Sequence, residues 1–115
     1  MVSELDQKEI CTRYGVPPSL VTSEMKLGIS RDFDSSMAPI NGLRHPPEGD
    51  ACGWYIWSGT VFSDAPDFFV PICASRLTEM CPELLKLLGL PPGWRFLLAP
   101  GYEDVWYDEA LLNLS

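Results

Sequence analysis

The segment from Gly89 to Asp108 constrains the fold more than any other. It reads Gly-Leu-Pro-Pro-Gly-Trp-Arg-Phe-Leu-Leu-Ala-Pro-Gly-Tyr-Glu-Asp-Val-Trp-Tyr-Asp. Gly89 can end a preceding helix in the left-handed conformation. Pro91, Pro92 and Gly93 force a turn, because proline fixes φ and glycine tolerates positive φ. Trp94 to Ala99 is an apolar run of strand length, Pro100-Gly101 makes a second turn, and Tyr102 to Tyr107 leads back. The pattern predicts a β-hairpin with an acidic tip and return strand, framed by Glu103, Asp104 and Asp108.

The rest of the chain is arranged around this hairpin by proline. Pairs at Pro17-Pro18, Pro46-Pro47 and Pro91-Pro92 keep the regular elements short. Leu5 to Tyr14 is expected as a helix, capped by Ser3, carrying Glu4 and Asp6 at its positive end, and stopped by Gly15. Ser19 to Met25 reads as a further helical turn. Lys26 to Phe33 alternates loosely and reads as an edge strand. Asp34 to Asp50 is rich in Ser, Pro, Gly and Asn and reads as a long loop, the kind that is functional or mobile. Cys52 to Thr60 is the clearest central strand, with large residues on both faces.

Val61 to Asp67 reads as a turn, and Phe68 to Ile72 as an apolar segment that Pro71 confines to an edge or a helix entrance. Ser75 caps an expected helix to about Leu88, with a break at Thr78 or Cys81 imposed by Pro82, and with Leu77, Leu84, Leu85 and Leu88 as its stripe. Asp108 caps a last turn over Glu109 to Leu114. Antiparallel strands with separate short helices make the fold class α+β. At 115 residues the chain is one domain, divided into an N-terminal helix and loop (1–41) and a core (42–112).

Charge narrows the partners. With a net charge of -8, the chain is unsuited to nucleic acid, which rewards clustered Lys and Arg, and to an anionic membrane surface. A basic protein partner is compatible, because opposite charge steers encounter. Met1 to Ile10 is polar and acidic, unlike a signal peptide. No stretch approaches the ~20 apolar residues of a membrane span. Cys11, Cys52, Cys73 and Cys81 show no close-spaced framework, so a cytosolic protein with reduced thiols is expected.

Three kinds of chemistry have their residue types in this chain. His45, Asp50 and Cys52 supply the base, orienting group and nucleophile of a thiol enzyme or small hydrolase, although order along a loop says nothing of geometry. Cysteine is also commonly a small buried hydrophobe. Cys73 and Cys81 lack the close spacing of zinc ligands, His45 is single, and no metal or cofactor is expected. The pairs Glu103-Asp104 and Asp108-Glu109 could do acid–base work only across a cleft, and Asp108 has a simpler role as a cap. The aromatics are more informative. Trp54, Trp57, Trp94 and Trp106 with Tyr55, Tyr102 and Tyr107 are more than this core requires, and alternation sends strand neighbours to opposite faces. Tryptophan and tyrosine dominate binding hot spots.

Several of these motifs together resemble the bacterial immunity protein family Imm33, related to domains once known only as DUF2185. They are Gly53-Trp54-Tyr55-Ile56-Trp57-Ser58-Gly59, Phe68-Phe69-Val70-Pro71, Leu77 with Cys81-Pro82, Leu88-Gly89-Leu90-Pro91-Pro92-Gly93-Trp94-Arg95-Phe96, and Tyr102-Glu103-Asp104-Val105-Trp106. The resemblance covers roughly Gly42 to Leu112. It implies a small cytosolic protein that binds and neutralises a secreted toxin, and it brings no catalytic residue with it. The expected mechanism is occlusion by an acidic, aromatic face made of Trp57, Asp64, Asp67, Tyr102, Glu103, Asp104 and Trp106. The alternatives from other classes are the thiol enzyme using His45 and Cys52, and a regulatory domain that self-associates as a homodimer through an exposed strand.

Overall fold

Strands form where apolar residues alternate, and six of them assemble into one open sheet. A computed structural model describes residues 4–59 and 67–112. The strands are β1 (Lys26–Ser30), β2 (Ile40–Arg44), β3 (Ala51–Ser58), β4 (Phe69–Cys73), β5 (Trp94–Ala99) and β6 (Tyr102–Tyr107). Their spatial order is β4-β1-β3-β2-β5-β6. The hairpin is present as expected: β5 and β6 pair from Ala99↔Tyr102 to Trp94↔Tyr107 across the Pro100-Gly101 turn. The fold class is α+β, and the sheet is mixed, because β1 runs parallel to β3 while the other neighbours are antiparallel.

One face of the sheet carries the main core. Leu27, Ile29, Ile40, Trp54, Ile56 and Phe96 point to it, and helix α1 (Glu4–Tyr14) covers it with Ile10 and Cys11. The cover is completed by a chain of short helical pieces: a 3-10 turn (Ala74–Arg76), helix α2 (Leu77–Met80) and a 3-10 helix (Pro82–Gly89). The break falls at Cys81, before Pro82, as the missing proline N–H requires. The first piece has no side-chain cap, so the cap expected of Ser75 is not used. Beyond Pro82 the rise of three residues per turn aligns Leu84, Leu87 and Leu90, all fully buried. Leu77 and Leu88 are buried as expected, whereas Leu85 is only half-buried.

Three expectations are corrected. The loop expected over Asp34 to Asp50 contains β2, a central strand between β3 and β5. Its Asn41-Gly42 pair hides the strand signal, because both residues are depleted in strands. Gly42 is there for space: a Cβ would lie 2.2 Å from Cε2 of Phe96. Second, β1 is interior and the edge belongs to β4. Third, Ser19 to Met25 holds no helix; that segment is tied to α1 by Gln7, whose buried amide donates to the Val21 carbonyl (3.0 Å) and accepts the Val21 N–H (2.9 Å).

The clearest central strand is irregular at one point. The β1–β3 register slips between Lys26↔Ala51 and Gly28↔Tyr55, the signature of a bulge. Gly53 absorbs it at φ +98°, where a Cβ would lie 1.9 Å from the His45 carbonyl oxygen.

A candidate partner-binding face

The second face of the sheet is covered differently. A smaller cluster of Leu43, Trp57 and Leu111 with Phe68 and Phe69 packs there. Leu111 reaches it from a C-terminal 3-10 turn (Glu109–Leu112). Asp108 places that turn, as its role of cap predicts. Its Oδ1 accepts the Ala110 N–H at 3.1 Å and its Oδ2 accepts from Arg95 at 3.2 Å. His45 is fixed from the same side: its Nδ1 faces the Leu111 carbonyl at 2.9 Å. A carbonyl only accepts, so Nδ1 carries the proton.

Alternation along the edge strand β6 divides the acidic hairpin. Tyr102, Asp104 and Trp106 share the second face with Arg95 and Leu97 of β5, whereas Glu103, Val105 and Tyr107 share the core face. Glu103 is engaged there by Lys86, at 3.0 Å. Among the described residues Asp104 receives only the Tyr102 hydroxyl, at a long 3.4 Å, and its cross-strand partner is the apolar Leu97. Trp106 lies against Arg95, whose guanidinium carbon is 5.5 Å from the ring centroid. Tyr102 is 55% exposed. The sequence therefore places two adjacent acids, and the sheet sends them to opposite faces.

The other nominated residues spread further. Trp57 is on the second face but buried at 6% exposure. Asp67 is exposed beside the start of β4, and its carbonyl accepts from Arg31 Nε at 3.1 Å. It stands at the opposite edge of the sheet from β6. Asp64 lies outside the described residues. Near the hairpin tip, Tyr102 and Glu103 border a cleft of about 640 Å³ that Cys81, Glu83 and Lys86 also line.

The residue types of a thiol enzyme are not brought together. Cys52 is 1% exposed in the main core, whereas the His45 ring lies on the second face against Tyr55, at a centroid distance of 5.5 Å. Burial pushes the Cys52 thiol up, away from thiolate. Cys73 and Cys81 are also apart in role. Cys73 accepts from Lys26 at 3.2 Å, and Cys81 donates to Glu83 at 2.8 Å. Burial, then Glu83, pushes the Cys81 thiol up to about 12. Among the described residues no three His, Cys, Asp or Glu side chains gather as metal ligands would.

Sequence reasoning missed Arg44. It is 2% exposed and donates to the carbonyls of Ser19, Cys52, Leu88 and Leu90 at 2.8–3.0 Å. Two of these lie at the C-terminal end of the 3-10 helix, where carbonyl dipoles favour a cation. Its guanidinium also lies 5.7 Å from the Trp54 ring centroid. The Ile40–Gly42–Arg44 alternation is the signal the sequence offers, and the loop-like Ser, Pro, Gly and Asn content of Asp34 to Asp50 masks it.

The family model described as an Imm33-like domain matches residues 6–108. The match takes in most of α1 as well as the later motifs. No curated protein and no solved structure gives a significant match.

Proposed function

The chain belongs to the Imm33-like domain family, and from that premise we propose that it is an immunity protein, which binds a cognate secreted bacterial toxin and neutralises it by occlusion. The family match over residues 6–108 is the observation that carries this reading. A family of this kind acts through binding, so the chain works as a stoichiometric inhibitor in the cytoplasm and not as an enzyme. The net charge of -8 favours a toxin with a basic surface.

In this reading the contact face centres on Tyr102, Asp104 and Trp106. Glu103 adds charge from the core side of the same strand. Asp67 extends the contact towards the far edge, and Asp64 joins it as an acid three residues earlier in the sequence. Five strand spacings of about 4.8 Å separate the two edges, roughly 24 Å. A standard interface of ~800 Å² per partner is wide enough to span them. Trp57 supports that face from beneath by packing, without touching the toxin.

The test is to express the reading frame adjacent to this gene, alone and together with this chain. Growth arrest by the neighbour alone, rescue on co-expression and a stable complex in gel filtration are the expected results. A toxic neighbour that is neither bound nor relieved by this chain at micromolar concentration overturns the proposal.

A further inference from the structure

The two edges of the sheet are not equivalent. At the β4 edge, Pro71 sits in mid-strand and has no N–H to offer another chain. At the β6 edge there is no proline across six residues, Tyr102–Tyr107. The Asp108 N–H bonds the Gly93 carbonyl at 2.6 Å, in register with the β5–β6 ladder. That fixes the phase of the ladder, because bonded and non-bonded pairs alternate. Tyr102, Asp104 and Trp106 bond inward to β5. Glu103, Val105 and Tyr107 direct backbone N–H and C=O away from the sheet. Among the described residues no other strand receives them.

An unpaired edge is a template for a further strand. Its side chains state what that strand must carry. The outer column runs Tyr102–Asp104–Trp106, aromatic, acid, aromatic. Glu103 on the other face is already held by Lys86, whereas Asp104 is in no ion pair among the described residues: Leu97 is opposite it, and Arg95, diagonal on the same face, is engaged by Asp108. We infer that β6 is a docking edge for an extended segment of a partner protein, in which a Lys or Arg faces Asp104 and apolar residues two positions to either side face Tyr102 and Trp106. Pairing of β6 with a second copy is opposed by the charge of -8 on each chain. The identity of the partner as the toxin rests on the immunity reading, while the edge itself rests on the backbone ladder and its side chains.

The probe is a capped peptide of alternating Thr and Val with a central Lys, compared with the same peptide carrying Glu at that position. Amide exchange is followed by NMR on the full chain at millimolar peptide. The Lys peptide should slow exchange at Glu103, Val105 and Tyr107, and not at Tyr102, Asp104 or Trp106. Asp104→Lys should weaken its binding by about fivefold, the scale of one exposed ion pair, while the melt of the variant stays unchanged. Slowing confined to β4, no slowing at all, or equal effects of the Lys and Glu peptides would overturn the inference. So would a dimer of the free protein through β6 in sedimentation. The immunity reading fails separately. A toxin bound and neutralised equally by the wild type and by Asp104→Lys removes the docking edge and leaves that reading standing. A peptide that docks on β6 while the neighbouring gene product does not bind removes the immunity reading and leaves the edge.

Discussion

Replacing Arg44 by methionine removes a guanidinium that is 2% exposed and replaces it with an apolar chain that fills similar space. Four carbonyls are affected, three of them buried and that of Ser19 half-buried. The Leu88 carbonyl keeps the Trp54 indole N–H at 2.7 Å. Those of Ser19, Cys52 and Leu90 lose the donor that Arg44 provides. A buried carbonyl left without a donor costs about 1–3 kcal/mol, so those of Cys52 and Leu90, with the half-buried Ser19 carbonyl at the low end, cost roughly 3–7 kcal/mol together. Against this, the substitution relieves the desolvation of a buried charge whose hydrogen-bond partners, among the described residues, are all neutral carbonyls. That relief amounts to several kcal/mol. The net expectation is a loss of about 3 kcal/mol, a large part of the ~5–15 kcal/mol that holds a domain together.

In a domain of this size that lowers the melting temperature by roughly 10–20 °C. Circular dichroism melts and urea titrations should agree on it. Arg44→Lys should also destabilise, because one ammonium cannot fan donors to carbonyls on β3, on the Ser19 segment and at both sides of Gly89. An Arg44→Met protein melting within about 3 °C of the wild type, or above it, refutes the reasoning, since the bonds would then return no more than the burial of the charge costs.

Gly42→Val should destabilise by about 1–3 kcal/mol through overpacking against Phe96, and a partial rescue by Phe96→Leu in urea titrations checks that the ring is the cause. Trp94 is only half-buried, between Tyr14 and Tyr107 with ring centroids at 6.1 and 5.8 Å. Trp94→Ala should therefore cost about 2 kcal/mol by denaturant titration, below the ~3–5 kcal/mol of a fully buried aromatic. Cys81 gives a pH dependence. Its folded pKa of about 12 lies above the ordinary 9.0, so its contribution to stability is whole below pH 9 and is lost as pH rises towards 12. Melting temperatures taken from pH 8 to 11 should fall less steeply for Cys81→Ala than for the wild type, and parallel profiles would contradict the assignment.

The sequence by itself determined the elements whose signals are local. Proline and glycine act through their own backbone angles, so the hairpin of β5 and β6 and a break before Pro82 were readable without any knowledge of neighbours, while Pro71 was readable only as an edge or a helix entrance. The helix at the N-terminus and the Asp108 cap were readable for the same reason: each is satisfied within a few residues. Tertiary structure alone decided what depends on residues distant in the chain. β2 is a strand because β3 and β5 flank it, and its Gly42 serves the ring of Phe96 rather than a turn. Arg44 is tolerable in the core only because carbonyls from three separate segments converge on it. The parallel pairing of β1 and β3 makes β1 interior, which no alternation within Lys26 to Ser30 could state. The nominated binding residues follow the same division. Their chemistry was legible, but the strand order set Asp67 and β6 at opposite edges, and the pleat put Glu103 and Asp104 on opposite faces, because which side a side chain takes is fixed by the sheet it joins.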